Sequence, residues 1–301
     1  MSQATNRSTK NQRRAAARER ARKAMAEAKR RERRTTILVR SGFVTGIVVV
    51  LAVIALVVVS GIKPSGPGPR NMASDGIVIG KSLVAERTGA LEAGEKPVPT
   101  PTKRSSATAD IRLYTDFQCP ACGAFEKENG DYIQDLVEKG AATAELHPVA
   151  ILDRASLGSK YSTRSASAAA CVADLSPDSF FDFDKALFAR QPAENTRGLS
   201  NDEIMTVAHG VKGLKNAKKI DTCIDDQRFA SWVTDATKRA LAGPLPGTDV
   251  KKLEVTPTVT VNGAQFDGTK QTFTEFVATQ LGKADDSRTG GKKANDEQAK
   301  R

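Results

Sequence analysis

Tyr114-Thr115-Asp116-Phe117-Gln118-Cys119-Pro120-Ala121-Cys122 continues a strand-like run from Ile111 and leads into a stretch, Gly123 to Lys139, that reads as a helix. Two cysteines separated by two residues at the start of a helix can close a small, reversible disulfide. The first thiol there meets unpaired amide N–H groups and the positive end of the helix dipole, and both favour its thiolate. The thiolate is the species that attacks disulfides, so the placement points to redox chemistry. Ile111 to Thr115 is expected to be a central strand and Ala142 to Ala150 the next one. A strand–helix–strand unit of this kind requires a parallel pair joined by a right-handed crossover.

Upstream, Gly76-Ile77-Val78-Ile79-Gly80 reads as a short edge strand, and Glu92 to Ala107 as an exposed loop rich in Pro, Thr, Ser, Lys and Glu. From Ser159 the period turns helical. Ala166 to Ala173, Phe180 to Ala189, Asp202 to His209, Leu214 to Asp225 and Phe229 to Ala240 each read as one helix. Their separators, Gln191-Pro192 among them, carry Pro, Gly, Asn or Ser. Strands return at Thr258-Val259-Thr260-Val261; Asn262-Gly263 is a two-residue hairpin turn, and Ala264 to Phe266 is the returning strand. Thr272 to Leu281 makes a last helix, capped by Gly282.

The net charge of +11 suggests nucleic acid until it is located, because residues 1–40 carry 14 Lys and Arg against 3 Asp and Glu. The remainder is balanced, with 32 basic and 32 acidic residues. The basic arm ends at Ser41 to Ile62, 22 residues without a charge, and about 20 helical residues cross a bilayer's hydrocarbon core. A signal peptide's apolar region runs to only about 7–15 residues, so a retained transmembrane signal anchor is the expectation. The positive-inside rule leaves the N-terminus in the cytoplasm and everything after Lys63 outside it. Anionic lipid accounts for the arm's charge, and no nucleic-acid partner is expected.

All four cysteines, Cys119, Cys122, Cys171 and Cys223, follow that span, and an even number in an oxidising compartment permits two disulfides. Structural zinc needs four ligands, usually as two close pairs. Cys171 and Cys223 stand singly, as do His147 and His209, so no metal is expected.

The Tyr114-to-Cys122 segment, together with Val255-Thr256-Pro257-Thr258-Val259-Thr260-Val261-Asn262-Gly263, resembles the active-site segment and the cis-proline loop of DsbA-like thiol–disulfide oxidoreductases, of the membrane-anchored actinobacterial type. The resemblance implies an α/β thioredoxin fold with an inserted helical domain, preceded by one transmembrane helix. The divisions are a cytoplasmic arm at 1–40, the signal anchor at 41–62 and a linker at 63–75. The first half of the fold with the CPAC motif follows at 76–158, then the helical insertion at 159–243. The second half occupies 244–282, and a disordered tail 283–301. Cys119 is then the nucleophile and Cys122 the buried resolving thiol. Pro257 is expected to be cis and to face the disulfide. Thr256, Pro257, Pro120 and Ala121 would contact substrate.

Two departures bear on strength. Ala121 stands where strongly oxidising relatives often carry a histidine, and it can give the Cys119 thiolate neither charge nor a side-chain hydrogen bond. Leu113 stands where many thioredoxin-like proteins have a buried acid. Asp116 is a substitute for that acid or a cap of the following helix, and Glu126 reads as a solvated helix residue. Trp232 and Phe180-Phe181-Asp182-Phe183 read as core, or as a substrate groove if exposed. Cys171 and Cys223 are either free or bridged. The oxidising compartment favours a bridge, which resembles the second disulfide of some actinobacterial DsbA-like proteins. Closing that loop would stabilise the insertion by about 4 kcal/mol in the chain-entropy picture.

The implied activity is disulfide introduction into exported cysteine-containing proteins, with reoxidation by a quinone-linked membrane partner of the DsbB or vitamin-K-epoxide-reductase type and no bound cofactor. The alternatives are a reductant or isomerase using the same cysteines, and a non-catalytic binding or chaperone module.

Overall fold

The computed structural model describes residues 66–101 and 108–283. The basic arm, the apolar segment 41–62 and the tail from residue 284 lie outside the described residues. In chain order the elements begin with β1 (Ile77–Gly80), β2 (Val84–Ala85), β3 (Ala109–Thr115), α1 (Pro120–Lys139) and β4 (Ala142–Pro148). Five helices follow: α2 (Tyr161–Leu175), α3 (Phe180–Ala189), α4 (Asn201–His209), α5 (Ala217–Asp225) and α6 (Ala230–Ala242). β5 (Thr258–Val261), β6 (Ala264–Gln265) and a helix α7 at 273–283 close the described chain. Among the described residues no helix is long and apolar enough to cross a membrane.

The strands form one sheet in the order β2-β1-β4-β3-β5-β6. β3 pairs parallel with β4 and antiparallel with β5, and all seven of its residues are buried. Alternation along a strand sends neighbours to opposite faces. Ala109, Ile111 and Leu113 enter the main core with Phe125, Ile133 and Val137 of α1. Asp110 and Arg112 instead join a buried polar cluster. There the Arg112 guanidinium lies 3.1 Å from both the Asp110 and the Glu145 carboxylates and donates to the Pro246 and Thr100 carbonyls.

α1 begins at Pro120, where a missing N–H costs no helical bond. It ends at Gly140, whose φ of +76° suits glycine and whose N–H reaches the Leu136 and Val137 carbonyls. The Asn262-Gly263 hairpin turn has positive φ at both residues, 52° and 89°, as its two-residue turn requires. Asn262 also accepts the Asp110 N–H through its side chain and so fastens the turn to β3.

Three sequence expectations are corrected. β1 is not the edge of the sheet, because it pairs with both β4 and the two-residue β2, which is too short to leave a pattern. α2 starts at Tyr161, five residues before the expected Ala166, and α7 runs on through Gly282. α2 lies among α3, α5 and α6. Ala, Ser and Thr are therefore buried on nearly all its sides, and no amphipathic stripe marks its beginning. Cys171 of α2 is bonded to Cys223 of α5, with a Cα–Cα distance of 5.9 Å. Trp232, Phe180, Phe181 and Phe183 are all core residues and form no exposed groove.

Candidate active site

The turn Asp116–Gln118 carries the chain from the end of β3 to Cys119, the N-cap of α1. Cys119 has extended backbone geometry (φ −74°, ψ 116°), and its side chain caps nothing. Its carbonyl accepts the N–H groups of Cys122 at 3.0 Å and Gly123 at 3.1 Å. Cys119 retains 7% of its surface and Cys122 1%; both are free thiols. Pro120 and Ala121 are exposed beside them.

The two thiols are electrostatically opposite. A hydrogen bond from the Cys122 thiol, aided by Thr256 and by the Cys122 and Ala121 amides, lowers the Cys119 pKa to about 6 against the pull of burial. Burial pushes the Cys122 thiol far up, and its hydrogen bond to Cys119 and that residue's charge add to the rise. The Cys122 thiol that makes Cys119 acidic is thus the one that keeps its own proton.

Thr256 and Pro257 precede β5, 137 residues from Cys119, and pairing of β3 with β5 brings them to it. The Cys119 thiol donates to the Thr256 carbonyl at 3.2 Å, and the Thr256–Pro257 bond is cis. Thr256 and Pro257 are half-buried, and Val255 before them is 60% exposed.

Asp116 is fully buried and does not cap α1. Its carboxylate accepts the amides of Gln118, Ile151 and Leu152, tying the cysteine turn to the segment after β4. Burial raises its pKa, and those hydrogen bonds oppose the rise. Glu126 is not a solvated residue. It is half-buried, its Oε1 is enclosed without a hydrogen bond, and burial raises its pKa. Buried Asp184 of α3 is likewise shifted up by desolvation and by the Glu126 charge.

Two further residues of the site carry no motif in the sequence. Phe188 of α3 packs on Phe117 with ring centroids 5.0 Å apart. Gln191, in the turn after α3, donates its side-chain amide to the carbonyls of Phe117 (3.1 Å) and Cys119 (2.8 Å).

The thioredoxin family model matches residues 104–279. The reduced disulfide bond oxidoreductase DsbG of Mycobacterium tuberculosis is 31% identical, over 68% of this chain and 86% of its own, with a TM-score of 0.49. Reduced DsbA of Mycobacterium tuberculosis is 31% identical, over 64% and 85%, with a TM-score of 0.46. Oxidised BdbD of Bacillus subtilis, 20% identical over 73% and 99% with a TM-score of 0.50, shares the fold. Comparison with curated proteins finds no match. The chain belongs to the thioredoxin family and, within it, to the DsbA-like protein disulfide oxidoreductases.

Proposed function

We propose that this oxidoreductase introduces disulfides into exported, cysteine-containing proteins on the outer side of the cytoplasmic membrane, held there by the signal anchor at 41–62. The observation that carries the oxidising direction is the acidity of Cys119, about 6, beside a Cys122 whose thiol is pushed up. A stabilised Cys119 thiolate is a good leaving group and lowers the free energy of the dithiol form, which makes the disulfide form an oxidant.

In the forward reaction a substrate thiolate attacks the Cys119 sulfur. The Cys119–Cys122 bond breaks, and the electron pair leaves on Cys122, which takes up a proton. A second substrate thiolate then attacks the substrate sulfur of the mixed disulfide and releases Cys119 as thiolate. The substrate has lost two electrons and the enzyme has gained them. A quinone-linked membrane partner of the DsbB or vitamin-K-epoxide-reductase type removes them again. Thr256 and Pro257 on one side, and Pro120 and Ala121 on the other, border the sulfur and form the substrate contact. The Cys171–Cys223 bond is structural, and its presence supports an oxidising compartment.

Redox equilibration of the full chain with glutathione, followed by thiol trapping, tests the direction. A potential of about −120 to −180 mV is expected, whereas one near −270 mV would overturn the oxidase reading in favour of a reductant.

A further inference from the structure

The helical insertion reaches the cysteine turn through the end of α3. Two backbone bonds, Arg190 N–H to the Leu187 carbonyl and Gln191 N–H to the Phe188 carbonyl, both 3.1 Å, fix the chain there. Phe188 rests on Phe117, and the half-buried Gln191 side chain passes over the turn to donate to the Phe117 and Cys119 carbonyls. A Cβ on Gly123 would meet the Gln191 Oε1, which places the amide directly over the residue after Cys122.

Cys119 has no side-chain cap to fix its conformation. Its acidity depends on holding its sulfur near the Cys122 thiol, Thr256 and the amides of Cys122 and Ala121. The Gln191 amide adds a further donor to a Cys119 carbonyl that already accepts two α1 amides. It also turns the positive end of its dipole toward the residue that carries the negative charge.

We infer that Gln191 is a positioning residue: its amide holds the Phe117–Cys119 turn by both carbonyls, so that the helical insertion fixes where the nucleophilic sulfur sits. This rests on the reading of Cys119 as the attacking sulfur.

The test compares full-length parent, Gln191→Met and Gln191→Glu. The methionine keeps the length and loses the donor; the glutamate replaces the donor with a negative charge. Two quantities are read: the pH dependence of Cys119 alkylation by iodoacetamide in the reduced protein, and thermal melting of the oxidised protein. The parent midpoint is expected at about 6. It should rise in Gln191→Met and rise further in Gln191→Glu, each pH unit meaning a tenfold loss of thiolate below the midpoint. Unmoved midpoints would overturn the inference; with lowered melting they would leave Gln191 a merely structural contact. Should the glutamate variant not fold, the methionine variant decides. A reduced parent whose Cys119 does not react with glutathione disulfide would remove the Cys119 reading itself. A parent that exchanges while both variants keep its midpoint would strike only Gln191.

Discussion

Cys119 and Cys122 lie one turn apart, yet their surroundings drive their pKa values in opposite directions. The consequence for stability has a definite sign. Cys119 titrates at about 6 in the folded dithiol form, against a reference of 9.0. Its stabilisation is therefore complete above the reference value and is lost as pH falls through about 6. Cys122, pushed up, opposes this only where an unfolded thiol would ionise, near and above that reference. The disulfide form has neither titration. The melting temperature of the reduced protein relative to the oxidised one should therefore climb as pH rises from about 6 toward 9.0, and level off below that interval. Paired melting curves of the two redox forms check this; a gap that does not change with pH would contradict it. The strand end, the CxxC spacing and Pro120 made the cysteine pair legible from sequence, because each acts locally. Gln191 was not legible. It lies 72 residues from Cys119 in what reads as a Gln-Pro separator, and only packing of α3 against the turn gives it a partner.

At the scale of elements, β3 does two things with its two faces. One supplies Ile111 and Leu113 to the core under α1. The other buries Arg112, at 1% exposure, between Asp110 and Glu145. Removing one member of a buried ionic cluster leaves its partners desolvated and uncompensated, typically at a cost of about 3–5 kcal/mol. Arg112→Leu should lower stability by about that amount in urea unfolding. A change below about 1 kcal/mol would mean that the cluster behaves like a solvated surface pair. The sequence marked β3 as a strand but not the burial of its arginine, since the counter-charges come from β3 itself and from β4 across the sheet. The start of α2 was hidden for a related reason. A helix surrounded on most sides has no polar face, and Tyr161 to Ser165 carry no periodic signal. β5 and its Asn262-Gly263 turn were legible because alternation and turn chemistry are local.

In the whole molecule, three distant segments meet at one residue, Cys119. The first part of the sheet brings Cys119, the segment before β5 brings Thr256, and the insertion brings Gln191. Motifs mark the first two in the sequence, where the helices between them read as a separate unit. The structure makes their α3 end part of the cysteine turn's surroundings. The Cys171–Cys223 bond joins α2 to α5 across a separation of 52 residues in that insertion, leaving Cys119 and Cys122 as the free thiols. The most direct test of the central claim uses full-length Cys122→Ala and Cys119→Ala, each incubated with glutathione disulfide at mildly alkaline pH and mapped by mass spectrometry. The account predicts a single glutathione on Cys119 in Cys122→Ala, none in Cys119→Ala, and an intact Cys171–Cys223 bond in both. Glutathione on Cys122, or equal labelling of the two variants, would contradict it.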